Sequence, residues 1–314
     1  MTPETAPAAT PTDQGPLARA WGNPWLLLTL ATLFWGGNFV VGRAILPEVP
    51  PMALAFWRWT LALIPVLLLA RGKVEVRQEL RVIRGNLPLV IILALLGIAC
   101  FNSFVYMGLR QTTSINALLL QSAMPLLILV VCFGLFRERP LALQLIGMVL
   151  SLGGVAFIAS RGHLQDLLDL AFNAGDLWVM AAVLAYAFYS ALLRKRPRLH
   201  PLSFLAVTFS IASLALLPFY LLEHASGQVM TLSWRSGLAM AYLVIFPSFL
   251  SYLFFNRGVE LVGAGRAGIF IHLLPVFGSI MAVIFLGESI EGFHLYGALL
   301  IGAGLVVASR AKRR

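Results

Sequence analysis

The second half of this chain repeats the first with no gap to adjust. Residues 97–160 slide forward by 150 positions onto 247–310. Phe104 falls on Phe254, Gly108 on Gly258, Ala117 on Ala267, Pro125 on Pro275 and Glu138 on Glu288. Leu145, Gly147, Leu150 and Gly154 meet Leu295, Gly297, Leu300 and Gly304. Both copies consist of long apolar segments, and duplicated membrane halves are a common way of building proteins that move solutes. Two related membrane halves are therefore expected.

The rest of the composition agrees. Of 314 residues, 60% are hydrophobic and 11% charged, with mean hydropathy +0.88, which is more apolar surface than a water-soluble domain can hide. A helix needs roughly 20 apolar residues to cross about 30 Å of hydrocarbon. Windows of that length predict ten spans, at 25–46, 52–70, 88–108, 115–136, 141–160, 175–193, 202–222, 235–256, 266–287 and 293–309. The net charge of +10 is a matter of topology rather than a nucleic-acid patch. With the N-terminus inside, 18 of the 23 Lys and Arg residues fall in inside segments, against four outside (Arg43, Arg110, Arg161, Arg235) and Arg58 within a span. That bias predicts both termini in the cytoplasm.

The halves are bounded by minor segments. Residues 1–22, rich in Ala, Pro and Thr, read as a disordered cytoplasmic tail, and 310–314 as a basic one. Between them lie a first repeat at 23–160, an extracytoplasmic connector at 161–174 and a second repeat at 175–309. The connector suits a short amphipathic helix through Leu164, Leu167, Leu168 and Phe172, and 71–87 suits a segment on the cytoplasmic interface. Five spans per repeat is odd, so the second repeat enters the membrane inverted, related by a pseudo-two-fold axis in the membrane plane. Gly147, Ser151 and Gly154 share a face of span five, matched by Gly297 and Gly304 on span ten. Such faces serve close packing within a monomer or dimerisation, so the expectation is a monomer or weak dimer. Cys100 and Cys132 lie inside apolar spans, with neither metal-ligand nor disulfide spacing.

The ordered motifs carry a family resemblance. Span one reads Leu33-Phe34-Trp35-Gly36-Gly37-Asn38-Phe39-Val40-Val41-Gly42-Arg43, and span two follows Pro50-Pro51 with Phe56-Trp57-Arg58-Trp59. Span six opens Gly175-Asp176-Leu177 and continues Ala185-Tyr186-Ala187-Phe188-Tyr189. Span eight ends Ser251-Tyr252 then Asn256-Arg257-Gly258, and span nine gives Pro275-Val276-Phe277 with Gly287-Glu288. This sequence resembles the drug/metabolite transporter superfamily, in its EamA-type branch of two five-helix repeats, from about residue 25 to 309. The resemblance implies an all-α integral membrane fold of ten helices around a central cavity in a bacterial cytoplasmic (inner) membrane. It also implies export of amino acids or similar small metabolites, with the YddG-type aromatic amino-acid exporters as the members to compare first. His272 and the position of Pro247 depart from the family pattern and leave the substrate open.

Polar side chains inside hydrocarbon tend to face a cavity or one another. Trp35 and Asn38 share a face of span one, either as an aromatic wall with a substrate-binding amide or as packing beside Gly36-Gly37. Asn102 and Tyr106 share a face of span three; their mates in span eight are Tyr252 and Asn256. Amide and phenol are thus swapped across the axis, as a cavity lining needing donors and acceptors from both halves requires. Trp178, Tyr186 and Tyr189 follow helical spacing in span six, either as cavity wall or packing, and Gln121 in span four faces the equivalent of Ile271 beside His272. His272 has the best titration chemistry of any mid-span residue, against the plainer reading of a neutral imidazole bonded to a neighbouring helix. Arg58 reads as structural, paired with an outer-loop carboxylate such as Glu48 or reaching to the surface. Pro125 and Pro275 are hinges or static kinks.

Every Asp and Glu lies in a loop or at a helix end. A proton-coupled exporter of cations needs a mid-membrane carboxylate, so the sequence favours movement of a zwitterionic or neutral solute without obligatory ion coupling. Multidrug or cationic-compound efflux is the alternative. No nucleophile–base pair or metal-ligand cluster stands out among the five histidines, so no catalytic residue, metal or cofactor is expected. The expected partners are a small-molecule solute and the lipid bilayer, with no nucleic acid.

Overall fold

The computed structural model describes residues 16–112, 117, 120–160, 162–163, 173–286 and 291–311. Among these residues the chain is entirely helical apart from turns, with no strand. After a short α1 (Pro16–Trp21) come α2 (Pro24–Ile45), α3 (Pro51–Ala70) and α4 (Val76–Gly85). The first repeat continues with α5 (Leu87–Leu109), α6 (Met124–Phe136) and α7 (Ala142–Ala159). The second holds α8 (Ala174–Leu192), α9 (Pro201–Ala225), α10 (Trp234–Val262), α11 (Ala264–Ile269), α12 (Leu274–Leu286) and α13 (Gly292–Ser309).

Seven described helices are long and apolar enough to cross a membrane, and they fall on predicted spans one, two, three, six, seven, eight and ten. Shorter apolar stretches, Leu120–Phe136, Ala142–Ile158 and Ala264–Gly278, stand where spans four, five and nine were expected. Two of the three contain a break with one cause. Pro125 and Pro275 sit one residue into α6 and α12, where a missing N–H costs nothing, rather than in mid-helix. Before Pro275 the chain makes a 3-10 turn, Phe270–Leu273, and before Pro125 a turn at Ala123. The segment expected at the cytoplasmic interface holds α4, whose Ile83 is buried while Val76 and Leu80 are exposed. The predicted helix through Leu164, Leu167, Leu168 and Phe172 lies outside the described residues.

The helices interlock across the repeats. First spans α2 and α8 each pack on the third and fourth spans of the other half: α2 on α10 and α12, α8 on α5 and α6. Span two packs on span seven (α3 on α9), and span five on span ten (α7 on α13). In that last pair Gly147 abuts Gly304 and Gly154 abuts Gly297, so the two helices run antiparallel, and Ser151 Oγ donates to Ile301 O across 3.3 Å. Ser151 and Ile301 are repeat mates, and the two glycine contacts exchange with each other under the 150-residue shift, as an axis between inverted halves demands. The small-residue face is therefore used inside the monomer. Apolar side chains including Leu68, Phe133, Val149, Leu214 and Leu299 point outward, the pattern of a protein dissolved in lipid.

The ends are tied by carboxylates. Glu223 Oε1 and Oε2 accept from Met52 N (3.1 Å) and Ala53 N (2.8 Å) at the start of α3. Glu79 accepts from His200 N (3.2 Å) at the start of α9, the repeat mate of α3. Each carboxylate supplies negative charge where the helix dipole is positive and the helix has no acid in its own first turn.

Candidate functional site

A narrow cavity lies between the halves, bounded by α2, α3, α5, α6, α8, α10 and the turn before α12. Its lining includes three sets of repeat mates: Asn102 and Tyr252, Gln121 and Ile271, Met124 and Leu274. Trp35, Phe101, Tyr186 and Tyr252 wall it with aromatic rings, and Trp35 stands edge-on to both Tyr186 and Tyr252 at 5.8 Å between centroids. The free volume is about 20 Å³, room for about one water molecule and none for a metabolite. A solute therefore requires the helices to move apart.

Two symmetric irregularities shape this space. α5 widens to a π-helix at Leu95–Cys100, and α10 does so at Val244–Leu250, one repeat later. In α10 the cause is Pro247, which has no N–H to give the preceding turn and whose ring crowds the carbonyl four residues back. The loosened carbonyls then find side-chain partners. Leu243 O accepts from Ser248 Oγ (2.6 Å), Phe246 O from Ser251 Oγ (3.1 Å) and Pro247 O from Trp35 Nε1 (3.0 Å). In α5 the carbonyl of Gly97, the repeat mate of Pro247, accepts from Tyr252 Oη. Gly97 has no substitute, because a Cβ there would lie 2.2 Å from the Tyr189 ring. Each bulge is thus stitched by an aromatic side chain of the opposite repeat.

Arg58 is the central polar feature. It is 1% exposed. Its Nη1 donates to Asn38 Oδ1 (2.7 Å), Asn102 Oδ1 (3.0 Å) and Tyr106 Oη (2.5 Å), and its Nε donates to Ser248 Oγ. Tyr106 Oη donates on to Asn38 Oδ1 at 3.1 Å. The guanidinium also lies over the Trp59 ring, 4.9 Å from its centroid. One arginine therefore ties α2, α3, α5 and α10 together. Glu48, its expected partner, instead accepts from Ser233 Oγ at 2.6 Å.

Of the residues singled out from sequence, Trp35, Asn38, Asn102, Gln121, Tyr186 and Tyr252 line the cavity. Tyr106 stands behind it, bonded to Arg58. Tyr189 and Asn256 pair with each other at 2.7 Å, in the layer next to Tyr186 and Tyr252. His272 is fully buried and its Nε2 meets the carbonyl of Ser122, its own repeat mate, at 2.9 Å. Trp178 is not brought in: it is half-buried and packs on Phe104. Ser248, Phe101, Met124 and Leu274 were not singled out. The 150-residue shift offered a signal for the last two, since Leu274 is the mate of Met124 and precedes the mated prolines.

The EamA-like transporter family matches residues 23–160 and again 173–310. The chain belongs to that family. Curated relatives of this transporter span nearly their whole length with it. An uncharacterized transporter of Bacillus subtilis, YyaM, is 25% identical over 288 residues, covering 91% of this chain and 93% of the relative. An uncharacterized transporter of Archaeoglobus fulgidus is 28% identical, covering 90% and 96%. A "probable amino-acid metabolite efflux pump" of Salmonella typhimurium is 26% identical, covering 90% and 93%. A crystal structure superposes with TM-score 0.75 at 19% identity, over 91% of this chain and 96% of that one, a likeness of fold. The transporter is thus a multi-pass membrane protein of two repeats, and its family acts on small-molecule solutes.

Proposed function

We propose that this transporter moves amino acids, aromatic or other neutral ones, or similar small metabolites out of the cytoplasm by alternating access. The observation that carries the reading is the cavity between the repeats, aromatic on its walls and polar at Asn38, Arg58, Asn102 and Gln121. A flat apolar side chain suits the rings, and a solute's charged end suits the polar floor. The Salmonella relative, named for amino-acid metabolites, supports the same class. Among the described residues no carboxylate lines the cavity, which supports movement without obligatory ion coupling and weighs against multidrug or cationic-compound efflux. We place both termini in the cytoplasm of a bacterium, with the protein in the inner membrane as a monomer or weak dimer. Residues 23–160 and 175–309 act as the two moving halves.

Uptake of a labelled amino-acid panel into proteoliposomes, with no imposed ion gradient, tests this. Protein-dependent uptake of some amino acids is expected. Uptake that appears only under a proton gradient removes the uncoupled part of the reading and turns attention to His272.

A further inference from the structure

The Arg58 guanidinium has no counter-charge. Every described group that accepts from it is neutral: two amide oxygens, a phenol and a serine hydroxyl. The ion pairs among the described residues, Glu138–Arg194, Glu260–Arg196 and Glu260–Arg257, lie at helix ends. Two acids that lie beside the ends of α3 are committed elsewhere, Glu48 to Ser233 and Glu223 to the start of α3 itself. A full charge buried in a span is costly, and burial is ordinarily balanced by a carboxylate. Four neutral acceptors and the Trp59 face hold the group in position without neutralising it.

The rest of the cavity has the same sign. α6 and α12 begin at Met124 and Leu274, which both line it, so the positive ends of two 13-residue helices face the same space. Two nitrogen donors there remain unused, beside the Tyr186 hydroxyl, which has no partner among the described residues. Arg58 Nη2 donates to no described group, while Nη1 and Nε carry all four bonds. The Gln121 side chain is 2% exposed, lines the cavity, and its Nε2 has no acceptor among the described residues.

We infer that the solute supplies the missing charge: it is bound as a carboxylate, held by Arg58 Nη2 and the Gln121 amide, with Arg58 as its counter-ion. This rests on the cavity's being the solute site. It sharpens the substrate class in a direction the amino-acid reading alone does not give. Carboxylate is required, and an ammonium group is not, since no described acid stands in the cavity to receive one. An aromatic 2-oxo acid therefore passes as well as the corresponding amino acid, whereas its amide and its decarboxylated amine do not.

The test compares phenylalanine, phenylpyruvate, phenylalaninamide and phenethylamine in proteoliposomes, each corrected for entry into protein-free vesicles. Phenylalanine and phenylpyruvate are expected to enter, with the amide and amine about tenfold or more slower. Arg58→Gln abolishes entry of both acids, and Arg58→Lys, which keeps the charge, retains part of it. Amide or amine entering as fast as phenylalanine overturns the carboxylate inference and leaves amino-acid transport standing. Entry of none of the four overturns the proposed solute class, and the anion site is then read without transport. Thermal unfolding of the purified protein, a measurement that needs no variant, is followed with benzoate and with benzamide. Stabilisation by benzoate alone supports the site even then, and equal stabilisation by both, or by neither, overturns it.

Discussion

Two glycines six residues apart on α7 separate helix propensity from packing. At Gly147 an added Cβ would lie 2.4 Å from the carbonyl oxygen of Gly304 and 2.8 Å from the Cβ of Ala308. At Gly153 it would meet nothing within 4 Å. Ordinary contact begins at 3.4 Å, so Gly147→Ala must push α7 and α13 apart by the difference, 3.4 − 2.4 = 1.0 Å, or bend one of them. The obstacle is backbone, which cannot rotate aside as a side chain does. Overpacking of this kind costs about 1–3 kcal/mol. Alanine in place of a helical glycine, by contrast, gains about 0.5–1 kcal/mol from backbone entropy, and it does so at both positions. The expected order of stability is thus Gly153→Ala, wild type, Gly147→Ala, with the two variants separated by the packing cost alone. Unfolding of purified protein in mixed micelles, by a denaturing detergent titration followed by circular dichroism, measures that separation. Equal midpoints for the two variants would refute the antiparallel α7–α13 contact and with it the packing derived from the repeat.

The carboxylate caps should behave as dipole-assisted caps: Glu223→Gln and Glu79→Gln are each expected to lose about 0.5–2 kcal/mol in the same titration, and a loss that appears only in the double variant would contradict two separate ties. Trp35→Phe keeps the ring but leaves the buried Pro247 carbonyl without its donor, so a loss of about 1–3 kcal/mol is expected together with reduced flux; unchanged stability would mean that water replaces the indole. Tyr106→Ala and Asn256→Ala are expected to insert normally, judged by membrane yield, while slowing uptake several-fold; uptake at the wild-type rate would remove both from the site.

What was legible in the sequence was periodic or duplicated. Apolar windows gave the helices because lipid leaves the backbone no alternative to internal hydrogen bonds. The exact shift of 150 gave the pairing, and the swapped Asn102/Tyr106 and Tyr252/Asn256 pointed at the space between the halves. Helix breaks were harder. A proline predicts that something yields, but whether the helix kinks, restarts or widens depends on which neighbour takes up the freed carbonyls. Pro125 and Pro275 restart helices, whereas Pro247 widens one because Ser248, Ser251 and Trp35 stand ready as donors. The partner π-bulge at Gly97 contains no proline, so no composition rule marks it. Arg58 failed differently. Its position a third of the way along a span allowed an outward path to Glu48, and only the arrangement of α2, α5 and α10 around it decides that it points inward. Trp178 shares helical spacing with Tyr186, yet the face is too wide for both to reach the cavity.

Inverted halves impose a sorting of contacts that bears on how such a cavity opens. If each half can adopt the conformation of the other, the outward-open and inward-open states are related by exchanging their roles. A contact between repeat mates maps onto itself under that exchange and can persist throughout. Ser151 with Ile301 and His272 with Ser122 are of this kind, and the crossings Gly147–Gly304 and Gly154–Gly297 map onto each other, so as a set they persist too. A contact between non-mates maps onto a different pair and has to break when the roles change. Arg194 with Glu138, Arg196 with Glu260, and the buried Asp176 with Thr112 belong here, and all three join helix ends. The exchange partner of Glu138 with Arg194 is Glu288 with Ala44, which cannot form an ion pair. The two ends of the molecule are therefore closed by different chemistry, exposed ion pairs at one and a buried hydroxyl–carboxylate bond at the other. Exposed pairs contribute about 0–1 kcal/mol each and weaken with salt, whereas a buried charged hydrogen bond contributes about 1.5–3 kcal/mol. The balance between the two open states is thus set by unlike terms at the two ends, and rising ionic strength tips it toward opening at the end that carries Arg194 and Arg196.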